Sequence, residues 1–315
     1  MNNNFISVII VLKLENLKNI HLYLKNVHSV LKSNFSHYEI IIVNNCVSMD
    51  IELLTRKIPS DIKKDIGVIN LTRKIEKDNA IVAGFDRANG DYTIVLDFNF
   101  DDNPRYIMDL FEKSKENHDI VCLKHKKRYI PKRKIIFYKL FYFIINKFSG
   151  FKINMYQHES RIISRRALNG ILSYRENIRY MKGIYSIVGY PIKSIKVDIK
   201  TNESESFRDY VKSFFYAITS FSGILNKLFF GIFLSSLIFV FFVIINALFV
   251  KFFGYNLLGY YIEDLPVGWT FIILLVSIIF TLTSFMLYLI TIYLDIINKE
   301  VKGRPIYIIE SFQRL

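Results

Sequence analysis

A mostly parallel α/β sheet with helices on both faces, followed by a C-terminal two-helix membrane hairpin, is the fold class this sequence predicts. Three observations predict it. Short apolar strands alternate with helical segments from residue 5 to residue 123. One strand, ending at Leu96, runs into a row of acids and amides (Asp97, Asn99, Asp101, Asp102, Asn103) before Pro104. Two long uncharged runs fill the last third. Strands that alternate with helices pair in parallel, because each crossover helix returns the chain to the same end of the sheet.

Taken in order, residues 5–12 read as a strand, 20–31 as a helix and 38–43 as a second strand. Residues 50–58 read as helical, 66–71 as a third strand and 77–88 as a helix. A fourth strand covers 92–96, a helix 105–117 and a fifth strand 119–123. Cys122, inside that fifth strand, reads as a buried small apolar residue. With Cys46 as the only other cysteine, in a domain placed in the cytosol, no disulfide is expected.

The end of the fourth strand carries the chemistry. Strand side chains alternate, so Asp97, Asn99 and Asp101 fall on one side at its carboxyl end. Open α/β sheets bind ligands at that edge. A row of oxygen ligands there suits Mg2+ or Mn2+ holding a diphosphate. The other reading is a polar loop that caps the helix after Pro104.

Residues 228–250 are uncharged and span about 35 Å as a helix, enough to cross a bilayer. Residues 267–294 are uncharged and longer. The loop between them holds Lys251, Glu263 and Asp264, whereas the tail holds Lys299, Lys302, Arg304 and Arg314. The positive-inside rule therefore puts the loop outside and both termini in the cytoplasm. Residues 5–12 are too short for a signal peptide, and no basic stretch precedes them. The expected divisions are a domain over 1–207, an amphipathic segment over 208–227, the hairpin over 228–294 and a tail over 295–315.

The net charge of +14 is concentrated. Residues 121–170 contain thirteen Lys or Arg against one acid, Glu159. Nucleic acid is one partner for such a patch, but the basic cluster runs into the aromatic, apolar stretch 135–145. That pairing favours a helix on an anionic membrane surface, and no nucleic-acid partner is expected.

Several short pieces, in order, resemble a known family. They are Ser7-Val8-Ile9-Ile10 with Glu15, then Tyr38-Glu39-Ile40-Ile41-Ile42-Val43, and Asn70-Leu71-Thr72-Arg73 followed by Lys77. Next come Ala83-Gly84-Phe85, Ala88-Asn89-Gly90-Asp91-Tyr92 and Asp97. Further on are Arg161 to Ala167, Tyr180-Met181-Lys182-Gly183, Ile218 to Ser222 and Glu300 to Tyr307. Over nearly its whole length the chain resembles family 2 glycosyltransferases of the polyprenyl-phosphate type, such as dolichol-phosphate-mannose synthases and bacterial undecaprenyl-phosphate glycosyltransferases.

The resemblance implies a nucleotide-sugar fold of the GT-A type and inverting transfer of a sugar to a polyprenyl phosphate in the bacterial cytoplasmic membrane, for cell-surface glycan synthesis. It implies Glu15, Asn45, Arg73, Lys77 and Asp97 on the donor, and Asp97, Asn99 and Asp101 on Mg2+ or Mn2+. Arg161, Arg165 and Arg166 are expected to place the acceptor phosphate. Asp97, Glu159 and Arg161 form the expected catalytic set. Glu159 orients the arginines or acts as a base; a plain ion pair with Arg161 is the alternative. Association into a homo-oligomer is also expected of the family.

The chain departs from the family pattern in places. Asn44-Asn45 stand where two aspartates are usual, and Asp97-Phe98-Asn99 replaces a pair of aspartates. Asp101 occupies a position that is often Gln, and Arg73-Lys74-Ile75-Glu76-Lys77 lacks the usual glycine. His158-Glu159-Ser160-Arg161 stands for Gly-Asp-Phe-Arg, with His158 read as a loop residue, and Glu203-Ser204-Glu205 for Glu-Ser-Lys. Two readings follow: a shifted ligand set on an active transferase, or a degenerate protein that scaffolds or regulates membrane glycan assembly.

Overall fold

The computed structural model of the chain describes residues 1–12, 20–45, 58–97, 103–126, 156–174, 180–197, 223–254 and 267–315, with isolated positions between 139 and 154. These form two units, Met1–Ala217 with Gly303–Leu315, and Ile218–Lys302.

The first unit is built on alternation. In β1 (Asn2–Leu12), Ile6, Val8 and Ile10 face one side and Ile9 and Val11 the other, all buried. The first set packs on Leu24, Val27 and Leu31 of α1 (Ile20–Asn34) and on Leu110 and Phe111 of α4 (Tyr106–Lys115). The second packs on Ala80 to Ala83 and Phe85 of α3 (Lys77–Phe85) and on Leu168 and Ile171 of α5 (Arg165–Ser173). Full burial of one aliphatic side chain contributes about 1.5–3 kcal/mol, so two-sided cover of these strands outweighs any single polar contact.

Eight strands form one sheet, in the order β7-β5-β6-β4-β1-β2-β3-β8. Besides β1 they are β2 (Phe35–Asn44), β3 (Ile66–Leu71), β4 (Tyr92–Leu96), β5 (Ile120–His125), β6 (Gln157–Ser164), β7 (Ile192–Val197) and β8 (Ile309–Arg314). Strands β1, β2, β3 and β4 pair in parallel, as do β5 and β7. Strand β6 runs antiparallel between β4 and β5, and β8 runs antiparallel along β3. The sheet is thus a mixed α/β sheet with helices on both faces.

Most expected elements form, with shifted ends. The helix expected from Arg105 begins with a 3-10 turn at Asn103–Arg105, where Pro104 presets the first turn. Its chain ends at Asn117, held at φ 62, a left-handed conformation that Asn tolerates. The expected helix over 50–58 lies outside the described residues, apart from its last position. So does most of the expected interfacial stretch 124–148. Strands β6, β7 and β8 and the short helices α2 (Ser60–Lys63) and α6 (Met181–Ile187) were not expected.

The tail differs from expectation in kind. Rather than standing apart over 295–315, its last residues are β8, an edge strand of the first unit. The second unit contains two helices, α7 (Gly223–Phe253) and α8 (Val267–Val301), which include the two uncharged runs. Among the described residues, no helix is long and apolar enough to cross a membrane. The expected amphipathic segment over 208–227 lies largely outside them.

Candidate functional site

Strand register aligns the carboxyl ends of the parallel strands. Leu12 of β1 sits opposite Asn44 of β2, and Asn44 opposite Asn70 of β3. Beside them β4 stops at Leu96, so Asp97 emerges at this edge. Its backbone N–H donates to Ser160 Oγ at 3.1 Å, which ties the end of β4 to β6.

Three elements converge around Lys77, Asp97 and Glu159. Lys77, the first residue of α3, places its Nζ 3.3 Å from Asp97 Oδ2 and in closer contact with Glu159 Oε2. His158 of β6 places Nε2 3.9 Å from the same Asp97 oxygen. Asp78, next on α3, accepts the Met181 N–H at 2.9 Å and so caps the start of α6. The third element, α6, brings Lys182, whose charge acts on both Asp78 and Glu159.

The charges are displaced from their ordinary behaviour. Burial opposes the Lys77 ammonium, but the Glu159 and Asp97 carboxylates outweigh it and hold Lys77 protonated well above the usual lysine range. Burial likewise opposes the Glu159 carboxylate, and the Lys77 and Lys182 charges hold it well below the usual range. Asp78 is pushed up to about 6 by burial and by Glu159, against the Met181 N–H and Lys77. His158 is held down to about 4, chiefly by burial. Strained titration of this kind clusters at functional sites.

Arg161 braces the cluster from beneath. It is buried, with Nε donating to the Glu159 carbonyl at 2.9 Å and Nη2 to the His158 carbonyl at 3.1 Å. Its guanidinium lies 3.8 Å from the centroid of the Tyr185 ring, a cation–π stack. The expected ion pair between Glu159 and Arg161 is therefore corrected: the arginine holds the Glu159 backbone, and the Glu159 carboxylate takes Lys77. His158 is not a loop residue. It lies buried in β6, accepts the Ser160 N–H on Nδ1 at 3.1 Å and meets His125 edge-on, with centroids 5.2 Å apart.

The three expected phosphate arginines do not come together. Arg161 pairs opposite Val95 near the carboxyl end of β4, whereas Ser164, just before Arg165, sits opposite Tyr92 at its amino end. Arg165 donates to the Ala88 carbonyl at 2.9 Å and to the Gly90 carbonyl. Arg166 grips both oxygens of Asp119, at 2.5 and 2.6 Å. These two guanidinium groups are spent on the opposite edge of the sheet.

Of the residues expected on the donor, Asn45 pairs both ways with Ile75: its Nδ2 donates to the Ile75 carbonyl and its Oδ1 accepts the Ile75 N–H, each at 2.9 Å. It pins the loop that carries exposed Arg73 into Lys77. Glu15, Asn99 and Asp101 lie outside the described residues. Asp97 has the hard oxygen chemistry a divalent cation wants. Among the described residues no group of three His, Cys, Asp or Glu stands ready to hold a metal ion. The residues that sequence reasoning missed are Asp78, His158, Ser160, Lys182 and Tyr185. Adjacency of Asp78 to Lys77 at a helix start was the one available signal.

A family model described as Glycosyl transferase family 2 matches residues 7–172. An uncharacterized glycosyltransferase from Synechocystis sp. is 29% identical over 285 residues, covering 87% of this chain and 85% of that protein. A bactoprenol glucosyl transferase from Shigella phage SfV is 35% identical over 124 residues, covering 38% of this chain and 40% of that protein. Among solved structures, mannosyl-3-phosphoglycerate synthase from Rubrobacter xylanophilus aligns over 71% of this chain and 74% of that chain, at 12% identity and a TM-score of 0.47.

Proposed function

The chain belongs to glycosyl transferase family 2, and from that premise we propose that it is an inverting, membrane-anchored transferase that moves a sugar from a nucleotide-sugar to a polyprenyl phosphate. The observation that carries the proposal is the Lys77–Asp97–Glu159 cluster at the carboxyl edge of the parallel strands. Ligands of open α/β sheets bind at that edge.

In this reading the acceptor phosphate oxygen attacks the anomeric carbon, and the bond to the nucleoside diphosphate breaks on the opposite face. A phosphate is already anionic, so no strong base is required. Lys77 offers its ammonium to donor phosphates, and Glu159 and Asp97 keep that ammonium charged and in place. Asp97, with Asn99 and Asp101 beyond it in sequence, would hold Mg2+ or Mn2+, which supplies charge stabilisation to the leaving nucleotide. Of the three arginines Arg161 is retained for the acceptor phosphate; two of its five N–H donors are used on backbone carbonyls. The name of the phage relative, a bactoprenol glucosyl transferase, supports the acceptor class.

Anchoring in a bacterial cytoplasmic membrane belongs to the same proposal. Helices α7 and α8 run 31 and 35 residues. They expose large apolar side chains such as Phe230, Phe252, Phe280 and Leu287, which water would leave uncovered. The chain leaves the first unit before α7 and rejoins its sheet at β8, which is compatible with a paired out-and-back crossing. A cysteine introduced at Gln313 should react with impermeant reagent only from the cytoplasmic side, and one at Leu258 only from outside. Labelling of both sites from the cytoplasmic side removes the hairpin.

The scaffold reading has one observation in its favour. Asn44 donates to Asn70 and Asn45 is paired with Ile75, so both amides serve structure where the family usually has acids. The experiment is transfer of radiolabelled sugar from a panel of nucleotide-sugars to undecaprenyl phosphate in membranes, with and without Mn2+. One productive donor supports the transferase. No transfer and no binding with any donor supports the scaffold.

A further inference from the structure

We propose that the C-terminal strand β8 positions the donor-side segment 72–77, an inference that rests on the transferase reading above. Among the described residues, the tail's side chains bond to β3 and to the residues that close α3, the two elements on either side of segment 72–76. The Thr72 N–H donates to the Ile308 carbonyl at 3.1 Å, at the first residue after β3. Asn70 Nδ2 donates to Ser311 Oγ at 2.8 Å, and Asn44 Nδ2 donates to Asn70 Oδ1 at 2.9 Å, which makes a polar ladder across β2, β3 and β8. At the far end of α3, the Tyr307 hydroxyl donates to Asp86 Oδ2 at 2.5 Å. The Arg87 guanidinium lies 5.3 Å over the Phe312 ring.

Segment 72–76 is therefore held from two sides, at Thr72 by Ile308 just before β8 and at Ile75 by Asn45 just after β2. Lys77 follows at once, and its ammonium must meet both Asp97 and Glu159. Misplacement of a positioning group by about 1 Å costs large factors in rate. A strand that only covered the edge of β3 would need backbone pairing alone. Tyr307 reaches past that edge to Asp86 at the end of α3, and Ser311 joins β8 to Asn44 through Asn70; edge cover does not call for these side-chain bonds. Tyr307 and Ser311 are positioning residues in this proposal and touch no substrate.

The test uses the full chain in detergent micelles with undecaprenyl phosphate. Two variants are compared with wild type: the pair Tyr307→Phe with Ser311→Ala, and deletion of residues 306–315 with a synthetic peptide of residues 303–315 added back. The pair should raise the nucleotide-sugar KM about tenfold, while kcat and acceptor KM change by less than about threefold. Amide hydrogen exchange at residues 70–77 should quicken in both variants, and the peptide should slow it again in the deletion. Unchanged exchange at 70–77 overturns the proposal. So does a parallel rise of both KM values with a fall in kcat that the peptide does not relieve. If the wild type transfers nothing, the transferase reading fails by itself, and the exchange at 70–77 still decides whether β8 holds the segment.

Discussion

The two edges of the sheet use the same side chains to opposite ends. At the amino edge the charged side chains are closed by fixed backbone, hydroxyl or ion-pair partners. The Asp91 carboxylate takes the Phe5 N–H at 2.8 Å, and the Gly90 N–H donates to Ser7 Oγ at 2.8 Å. Ser7 in turn donates to Glu39 at 2.6 Å, and Glu39 also takes the Asn89 N–H at 2.8 Å. Arg165 caps two carbonyls of the same turn, and Arg166, Ser164 and Asp119 lock β6 beside it. At the carboxyl edge Lys77, Asp97, Glu159, Asp78 and His158 lean on one another instead, and several are driven from their ordinary titration. The difference teaches where to look for chemistry. Arg165 and Arg166, closed by carbonyls and by Asp119, hold the fold; a carboxylate whose ionisation depends on neighbouring lysines is poised to respond to a ligand.

The sharpest way to break that contrast is at Asp97. Asp97→Ala should reduce sugar transfer by about 100-fold or more while the melting temperature moves little, since the metal that would offset the phosphate charge would lose a ligand. Equal transfer in the variant removes Asp97 from the mechanism. Next, Lys77→Met should lower transfer on the order of 10- to 100-fold. It should also cost about 1–2 kcal/mol in denaturant titration, less than a fully buried pair because the Glu159 side chain is 26% exposed. A stability loss without a rate loss would make Lys77 structural.

At the amino edge the expectation reverses. A Cβ at Gly90 would stand 2.6 Å from the Ser7 nitrogen and 2.7 Å from the Phe5 oxygen, both backbone atoms. Gly90→Ala should therefore destabilise the protein by about 1–3 kcal/mol and leave the activity of each folded molecule unchanged. A selective loss of kcat would erase the distinction between the edges.

The smallest effect concerns pH. The Asp78 carboxyl is pushed up to about 6 in the fold from an ordinary 3.8, so between those values the native state binds more protons than the unfolded chain. Stability then falls as pH rises through about 4 to 6 and levels off above that window. Asp78→Asn should remove this share of the slope and gain on the order of 1–3 kcal/mol at neutral pH, with no gain below pH 4. Urea titration across pH 4–8 measures it, and an unchanged slope would show that Asp78 ionises normally.

Much of this edge contrast is invisible in the linear chain. The strands 66–71 and 92–96 were read with their observed ends because their apolar runs stop at clear polar breaks. Asp97 and Lys77 were likewise legible, one from the strand end and one from the resemblance. The partnership between Lys77 and Glu159 was not, since residues so far apart meet only through the insertion of β6 beside β4. Nothing in the sequence separated Arg161 from Arg165 and Arg166: four residues along a strand are about 13 Å, the distance from one sheet edge toward the other.

By itself the sequence determined the alternation of strands and helices, the two-sided core and the polar end of β4, because hydrophobic period and turn residues act locally. Tertiary structure alone decided which charges became partners. It turned the tail into β8, and it assigned Glu159 to Lys77 rather than to Arg161. The physical reason is that antiparallel insertion and edge pairing join segments with no local signature in common, and a buried charge takes whichever counter-charge the strand register sets within reach.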